Sequence, residues 1–402
     1  MNIPMSSPEL TETEMRAVTK TLLTGRLSLG PQLEAFEKAM ASYVGSKYAI
    51  GVNSGTAGLH LAVIAAGVGE KDLVITTPFS FIASANVILY ERAIPIFVDV
   101  DSKTGNINPE LIAEALDDMN GVSENASRWL PPALRGGPLS ITPRKIKAIL
   151  PVHAFGQPAD IDSILALASQ FHVTMIEDAC EALGSEYKHR KVGSRAHCGV
   201  FAFYPNKQIT TGEGGMIVTD DGEWDGLFRS LRNQGRDIFD AWLNHSRLGY
   251  NYRLDEMSAA LGAAQMSRIE ELLTKREKVA SWYNARLKDA DGVKIPYVAP
   301  STTRMSWFVY VIQLDAKINR CEVMNELESR GIPSRPYFSP IHLQPFYMEK
   351  FGYKKGDFPV TEYLGEASLA LPFSGLMTET QVDYVCEHLI KILHKLRSGG
   401  KN

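Results

Sequence analysis

Three short stretches of this sequence carry residue types whose chemistry converges. The first is Asn53-Ser54-Gly55-Thr56-Ala57-Gly58, which follows a strand-like run and opens a helical one. Free N–H groups and the dipole at a helix N-terminus favour a phosphate. Gly55 permits close backbone approach, and Ser54 and Thr56 bring hydroxyl donors. The same stretch also reads as an ordinary capped helix. The second is Ile176-Glu177-Asp178-Ala179-Cys180-Glu181, where the run Val173 to Ile176 ends in two carboxylates. Ligands of open α/β sheets gather at the carboxyl ends of strands. A carboxylate there could hold a protonated ring nitrogen, a magnesium ion or a helix N-terminus. The third is Phe201-Ala202-Phe203-Tyr204-Pro205-Asn206-Lys207, followed by Thr210-Thr211-Gly212-Glu213-Gly214-Gly215-Met216. Here a strand runs into a lysine-bearing turn, then a glycine-rich loop, then another strand. Lysine forms Schiff bases with carbonyls. Most lysines are solvated surface charges, but Lys207 stands between two strands of buried character.

Each stretch is weak alone; their order is not. A phosphate-binding turn, a strand-terminal aspartate and Lys207, 29 residues after Asp178, match the way pyridoxal 5'-phosphate (PLP) is held. That arrangement pairs a Schiff-base lysine with an acidic partner for the pyridinium nitrogen.

The elements that must position these residues follow from pattern. Tyr48 to Val52, Leu73 to Thr76, Ile94 to Val98, Lys147 to Val152, Val173 to Ile176, Val200 to Phe203 and Met216 to Thr219 read as strands. Gly55 to Ala66, Ser80 to Tyr90 and Asp160 to Phe171 read as helices between them. Alternation of this kind predicts a mostly parallel sheet covered by helices on both faces. From Asp255 to Leu287 a helical period runs through Met257, Leu261, Ala264, Ile269 and Leu272, predicting one long helix. Beyond it, Phe308 to Leu314 reads as a strand, and Cys321 to Arg330 and Glu379 to Leu396 as helices. The division expected is a large domain over 1–255 and a bridging helix with a small C-terminal α+β domain over 256–402. Asn120 to Arg144, rich in Pro and Gly without a sustained period, reads as an irregular insertion.

Bulk properties exclude other classes. The chain has 402 residues, 45% hydrophobic and 22% charged, with a net charge of −4, so nothing suggests a basic surface for nucleic acid or membrane. Cys180, Cys198, Cys321 and Cys386 show neither CxxC nor ligand spacing with histidine. Reduced thiols of a cytoplasmic protein are expected, with no metal site. The polar, acidic first residues do not read as a signal peptide, and no apolar run approaches a membrane span.

Over nearly its whole length the sequence resembles the DegT/DnrJ/EryC1/StrS family of PLP-dependent sugar aminotransferases. The resemblance rests on an ordered set of motifs. They are Gly25-Arg26-Leu27-Ser28-Leu29-Gly30-Pro31, Thr77-Pro78-Phe79-Ser80-Phe81, Pro151-Val152-His153-Ala154-Phe155-Gly156-Gln157, Glu177-Asp178-Ala179 and Gly212-Glu213-Gly214-Gly215. Leu248-Gly249-Tyr250-Asn251-Tyr252-Arg253 and Arg330-Gly331-Ile332-Pro333 complete the set.

The resemblance implies a fold-type I α/β transferase with PLP as cofactor. Lys207 would bind the cofactor covalently and move the proton. Asp178 would pair with the pyridine nitrogen, and Phe81 would stack on the ring. Ser54, Gly55, Thr56 and Ala57 would hold the phosphate. Glu181 falls where the family often has Gln or His near the cofactor's 3-oxygen. Asn251 would reach the cofactor of a partner subunit, making a homodimer with composite sites. Two positions depart from the family: Ala202 where it usually has a phosphate-binding Ser, and Asn206 where it often has Thr. His153 and His342 are substrate or packing residues, and Arg335 and Tyr337 join them as substrate candidates. The implied reaction moves an amino group from an amino acid, glutamate first, to a nucleotide-linked keto-sugar. The Thr210 to Gly215 loop resembles enzymes that aminate C4 of a 4-keto-6-deoxy sugar. One rival is a sugar dehydratase of the same family, which carries His in place of the lysine. The other is a non-catalytic regulator on the same scaffold. Lys207 argues against both, and the absence of a basic DNA-reading segment argues against the second.

Overall fold

The structure, a computed structural model, describes residues 3–120, 124–136, 145–237 and 244–399. Helices α1 (Glu12–Thr24) and α2 (Pro31–Val44) precede an alternating series: β1 (Tyr48–Val52), α3 (Gly55–Ala65), β2 (Leu73–Thr76), α4 (Ala83–Tyr90), β3 (Ile94–Phe97) and α5 (Pro109–Asn120). The series continues with β4 (Ile146–Ile149), α6 (Ile161–Gln170) and β5 (Thr174–Asp178). A hairpin of β6 (Glu186–Tyr187) and β7 (Arg190–Lys191) leads to β8 (Cys198–Ala202), β9 (Gly215–Thr219) and α7 (Gly222–Arg232).

Seven strands make one sheet in the order β1-β9-β8-β5-β4-β2-β3. Only β9 is antiparallel to its neighbours; the other pairs run parallel. Successive residues of a strand face opposite ways, and here both faces are apolar. Ile75, Ile149, Met175 and Phe201 enter one core; Val74, Ala148, Ile176 and Val200 enter the other. Burial on both sides explains the unbroken hydrophobic runs that mark these strands in the sequence. The parallel pairing, with β1 and β8 both antiparallel to β9, points the carboxyl ends of β1, β2, β4, β5 and β8 to one edge of the sheet.

The long helix expected over 255–287 is two: α8 (Glu256–Met266) and α9 (Ile269–Leu287). The break has local causes. Ser267 Oγ donates back to the Ala264 carbonyl at 2.6 Å, a bond that competes with helix continuation. The guanidinium of Arg268 is drawn to Glu9, Glu14 and Glu271. Leu272 and Leu273 of α9 belong to the large sheet's core, whereas Val279, Tyr283 and Leu287 belong to a separate C-terminal core. The helix therefore bridges the two.

The C-terminal part contains β10 (Val293–Lys294), β11 (Thr302–Arg304), β12 (Tyr310–Leu314), α10 (Arg320–Glu328), β13 (Arg335–Pro336), α11 (Pro345–Phe351), α12 (Pro359–Ala367), β14 (Ser368–Leu371) and α13 (Glu379–Gly399). Its four-stranded sheet has the order β10-β12-β14-β13, all antiparallel. Strand β11 instead joins the β6–β7 hairpin of the large part.

Within the insertion, residues 121–123 and 137–144 lie outside the described residues. The rest is more ordered than its composition suggests: 3-10 helices cover Glu124–Trp129 and Pro132–Leu134. Leu130 is buried in the large core, and Leu134 packs on the cluster around Tyr347 and Phe351 of α11.

Candidate active site

A cavity of about 570 Å³ opens at the carboxyl edge of the large sheet. All three stretches singled out in the sequence reach it. Ser54, Gly55 and Thr56 enter from the start of α3, Asp178 and Glu181 from the end of β5, and Asn206 and Lys207 from the turn after β8.

Ser54 caps α3, its Oγ accepting from Ala57 N at 3.0 Å. That bond uses the Ala57 N–H, and Ala57 is buried outside the cavity lining. The N–H groups of Gly55 and Thr56, in the first turn, have no intrahelical acceptor and are the ones left for an anion. A side chain at Gly55 is excluded: its Cβ would lie 2.7 Å from Ala202 Cβ and 2.9 Å from Cys180 Sγ. The tight approach of α3 to β8 sets this corner of the cavity.

The two carboxylates ending β5 part company, as strand geometry requires. Glu177 faces inward, fully buried. It accepts from His153 Nε2 at 3.0 Å, Gly193 N at 2.8 Å, Arg195 N at 2.7 Å and Ala196 N at 2.9 Å. Burial pushes its carboxyl up, but the bonds from His153 and the backbone outweigh that, and it titrates below the usual range. Asp178 faces the cavity. Its Oδ2 accepts from Ser84 Oγ at 2.7 Å and its Oδ1 from Cys180 N at 3.1 Å, so the carboxylate is held in one orientation.

Lys207 follows a turn closed by its own N–H bonding to the Tyr204 carbonyl at 2.9 Å. The side chain is 13% exposed, with Nζ 3.7 Å from Glu181 Oε1. Nζ also lies 3.9 Å from the centroid of the Phe308 ring, a cation–π contact. Glu181 Oε2 accepts from Phe155 N at 2.9 Å. Burial pushes the Glu181 carboxyl above its ordinary range, although Lys207 opposes this. Burial, with Glu181 nearby, pushes the Tyr337 hydroxyl up to about 12.

Other candidates separate cleanly. Phe81 and Tyr337 line the cavity, and Phe81 is 64% exposed there, a ring with one face open. Asn206 lines it too, with Oδ1 buried and unpartnered among the described residues. Arg335 is exposed and absent from the lining. Asn251 is exposed and points to no part of its own chain's cavity; its carbonyl accepts from Asn53 Nδ2 at 3.4 Å, beside the α3 turn. His153 is buried with both ring nitrogens engaged, Nε2 by Glu177 and Nδ1 by Ala159 N at 3.0 Å, leaving none for a substrate. His342 is buried against Glu362 at 3.0 Å, away from the lining; burial pushes its pKa down. Ser84 and Phe308 were missed in the sequence. Neither has a local signature, since each becomes meaningful only beside Asp178 or Lys207.

These residues fit PLP. Asp178 offers an oriented acceptor for a ring nitrogen, and the α3 turn offers free N–H groups for a phosphate. Lys207 presents the only lysine amine among the lining residues. When bound, PLP supplies an aldehyde that condenses with amines and a ring that draws electrons. Fold and site together define a PLP-dependent aminotransferase of fold type I.

Comparison narrows this further. The model of the DegT/DnrJ/EryC1/StrS aminotransferase family matches residues 8–390. GDP-perosamine synthase of Caulobacter vibrioides is 37% identical over 395 residues, covering 97% of this chain and 98% of that protein. Spore coat polysaccharide biosynthesis protein SpsC of Bacillus subtilis is 36% identical over 399 residues, 96% of this chain and 95% of that protein. Among solved structures, DesV of S. venezuelae superposes with a TM-score of 0.85 at 30% identity, covering 97% and 98% of the two chains. The chain belongs to the DegT/DnrJ/EryC1/StrS aminotransferase family.

Proposed function

We propose that the chain transfers an amino group from an amino acid, glutamate in the first instance, to a nucleotide-linked keto-sugar, at C4 of a 4-keto-6-deoxyhexose. The observation that carries the transfer chemistry is the meeting of Lys207, Glu181 and Asp178 in one cavity. The sugar reading is supported by similarity to GDP-perosamine synthase and by the Thr210 to Gly215 loop. In this reading Lys207 attaches the cofactor and carries the proton at the reacting carbon. Asp178, oriented by Ser84, keeps the ring nitrogen protonated. Gly55 and Thr56 bind the phosphate through their N–H groups and Asn206 through its side-chain N–H₂, with Ser54 fixing the turn, and Phe81 covers the ring.

The unit we infer is a homodimer. Leu27, Leu29, Phe81 and Tyr204 are large apolar side chains left exposed, and an exposed Asn251 beside the α3 turn suits a contribution to a partner's cofactor. Isologous dimers are the commonest assembly. The four free cysteines suit a reducing compartment, and we take the reaction to be cytoplasmic. The dehydratase alternative stays disfavoured by Lys207.

A panel of nucleotide keto-sugars incubated with holoenzyme and glutamate tests the reading. The expected product is heavier than a 4-keto substrate by the change from carbonyl to amine. A panel that yields amination at C3, or dehydration without amination, would replace it.

A further inference from the structure

Arg276 lies in α9 with its side chain buried, 4% exposed. Its hydrogen-bond acceptors are four backbone carbonyls from two distant segments. Nη1 donates to Trp307 O and Phe308 O, both at 3.2 Å. Nη2 donates to Asn206 O at 3.3 Å and to Lys207 O at 2.6 Å. No carboxylate among the described residues forms an ion pair with it. Burial pushes its pKa down to about 10, which still leaves it charged at neutral pH.

An uncompensated buried cation is costly and is tolerated where the surrounding polar groups are all engaged. Here the carbonyl dipoles provide the compensation. The planar fork of a guanidinium suits this task; an ammonium has three donors on a compact head and cannot reach both segments in the same way. The two segments are the walls around the lysine amine. One is the peptide of Lys207 itself. The other ends in Phe308, whose ring lies 3.9 Å from Lys207 Nζ.

We propose that Arg276 is a positioning residue for Lys207. One guanidinium fixes the turn that carries the lysine and the ring that covers its amine, and so ties the amine's position to the strand entering the small sheet. The inference rests on the reading that Lys207 carries the cofactor.

The test uses the holoenzyme, Arg276→Lys, and Arg276→Ala with and without added guanidinium ion. Three readouts are taken: the rate at which PLP added to stripped protein becomes reducible onto Lys207 by borohydride, the PLP dissociation constant, and the melting temperature. Displacement of a reacting group by about an ångström costs roughly 10²-fold. A fall of that order in the rate of attachment to Lys207 is expected in Arg276→Lys, with the dissociation constant moving far less. Guanidinium should restore part of the rate in Arg276→Ala; should that variant not fold, Arg276→Lys decides alone. Near wild-type attachment in Arg276→Lys overturns the proposal, as does guanidinium that raises the melting temperature without moving the rate. Wild-type protein that attaches PLP at a lysine other than Lys207 sinks the reading of the site, and this inference with it.

Discussion

Glu177 and Glu181 stand four residues apart, both are withdrawn from solvent, and each faces a basic side chain. They nonetheless do opposite things. Glu177 is saturated by His153 and three backbone N–H groups, and its carboxyl is held below the usual range. Glu181 has one backbone donor, from Phe155, and an ammonium at 3.7 Å; burial holds its carboxyl above the usual range. The first region is a scaffold whose lone pairs are used. The second keeps unsatisfied capacity and borders a cavity. Hydrogen-bond saturation, not residue type or burial, separates structural carboxylate from site carboxylate here.

The largest effect is expected at Lys207. Lys207→Ala should give essentially no aminated product, a loss beyond the roughly 10²–10⁴-fold assigned to a positioned acid–base group, because covalent attachment is lost as well. Purified variant mixed with PLP, glutamate and keto-sugar, followed by product mass, checks this. Turnover near the wild-type rate would require rebuilding the site around another lysine.

On the scaffold side, Glu177→Ala should destabilise the fold by about 3–5 kcal/mol, the usual cost of breaking a buried pair from one side. Denaturant melts measure it. The pH dependence follows from the sign of the shift. Because folding lowers the Glu177 pKa, its contribution is present above the unfolded value and is lost as pH falls through the folded one. Glu181 has the opposite sign: folding raises its pKa, so its contribution is full at low pH and is lost as pH rises through the folded value. Glu181→Gln should therefore hold or raise the melting temperature of the cofactor-free chain at neutral pH, and make no difference in acid. A neutral-pH loss as large as that of Glu177→Ala would erase the distinction.

A smaller effect sharpens the site side. With cofactor attached at Lys207, a Glu181 carboxylate would favour a protonated nitrogen there. Glu181→Gln should lower the spectroscopic pKa of the lysine-linked cofactor while activity persists. An unmoved titration would show that Glu181 acts on something else. Smallest of all, Ser84→Ala removes one bond to a charged group, worth about 1.5–3 kcal/mol. It should loosen PLP by up to roughly tenfold to 10²-fold in a binding titration; unchanged affinity would mean that Asp178 is oriented by other groups.

The sheet was legible because its strands are buried on both faces. Tyr48–Val52 and Leu73–Thr76 fall where the apolar runs predict them. The three site stretches were legible because each lies beside the carboxyl end of a strand. What was not legible depends on distant contacts. Phe308 and Arg276 contact Lys207 from about 100 and 70 residues away in sequence. The break at Ser267 and Arg268 reflects a side-chain bond and a cluster of acids that helical periodicity does not register. His153 follows a strand end and so reads as a site candidate, yet its ring turns into the core to bond Glu177.

Lys207 is the residue expected to hold the cofactor. Reducing the PLP-loaded protein with borohydride, digesting it and sequencing the modified peptide by mass spectrometry tests it directly. A single phosphopyridoxyl label on Lys207 is expected, absent when glutamate is supplied before reduction. A label on any other lysine, or none on a protein that shows bound PLP, would contradict it.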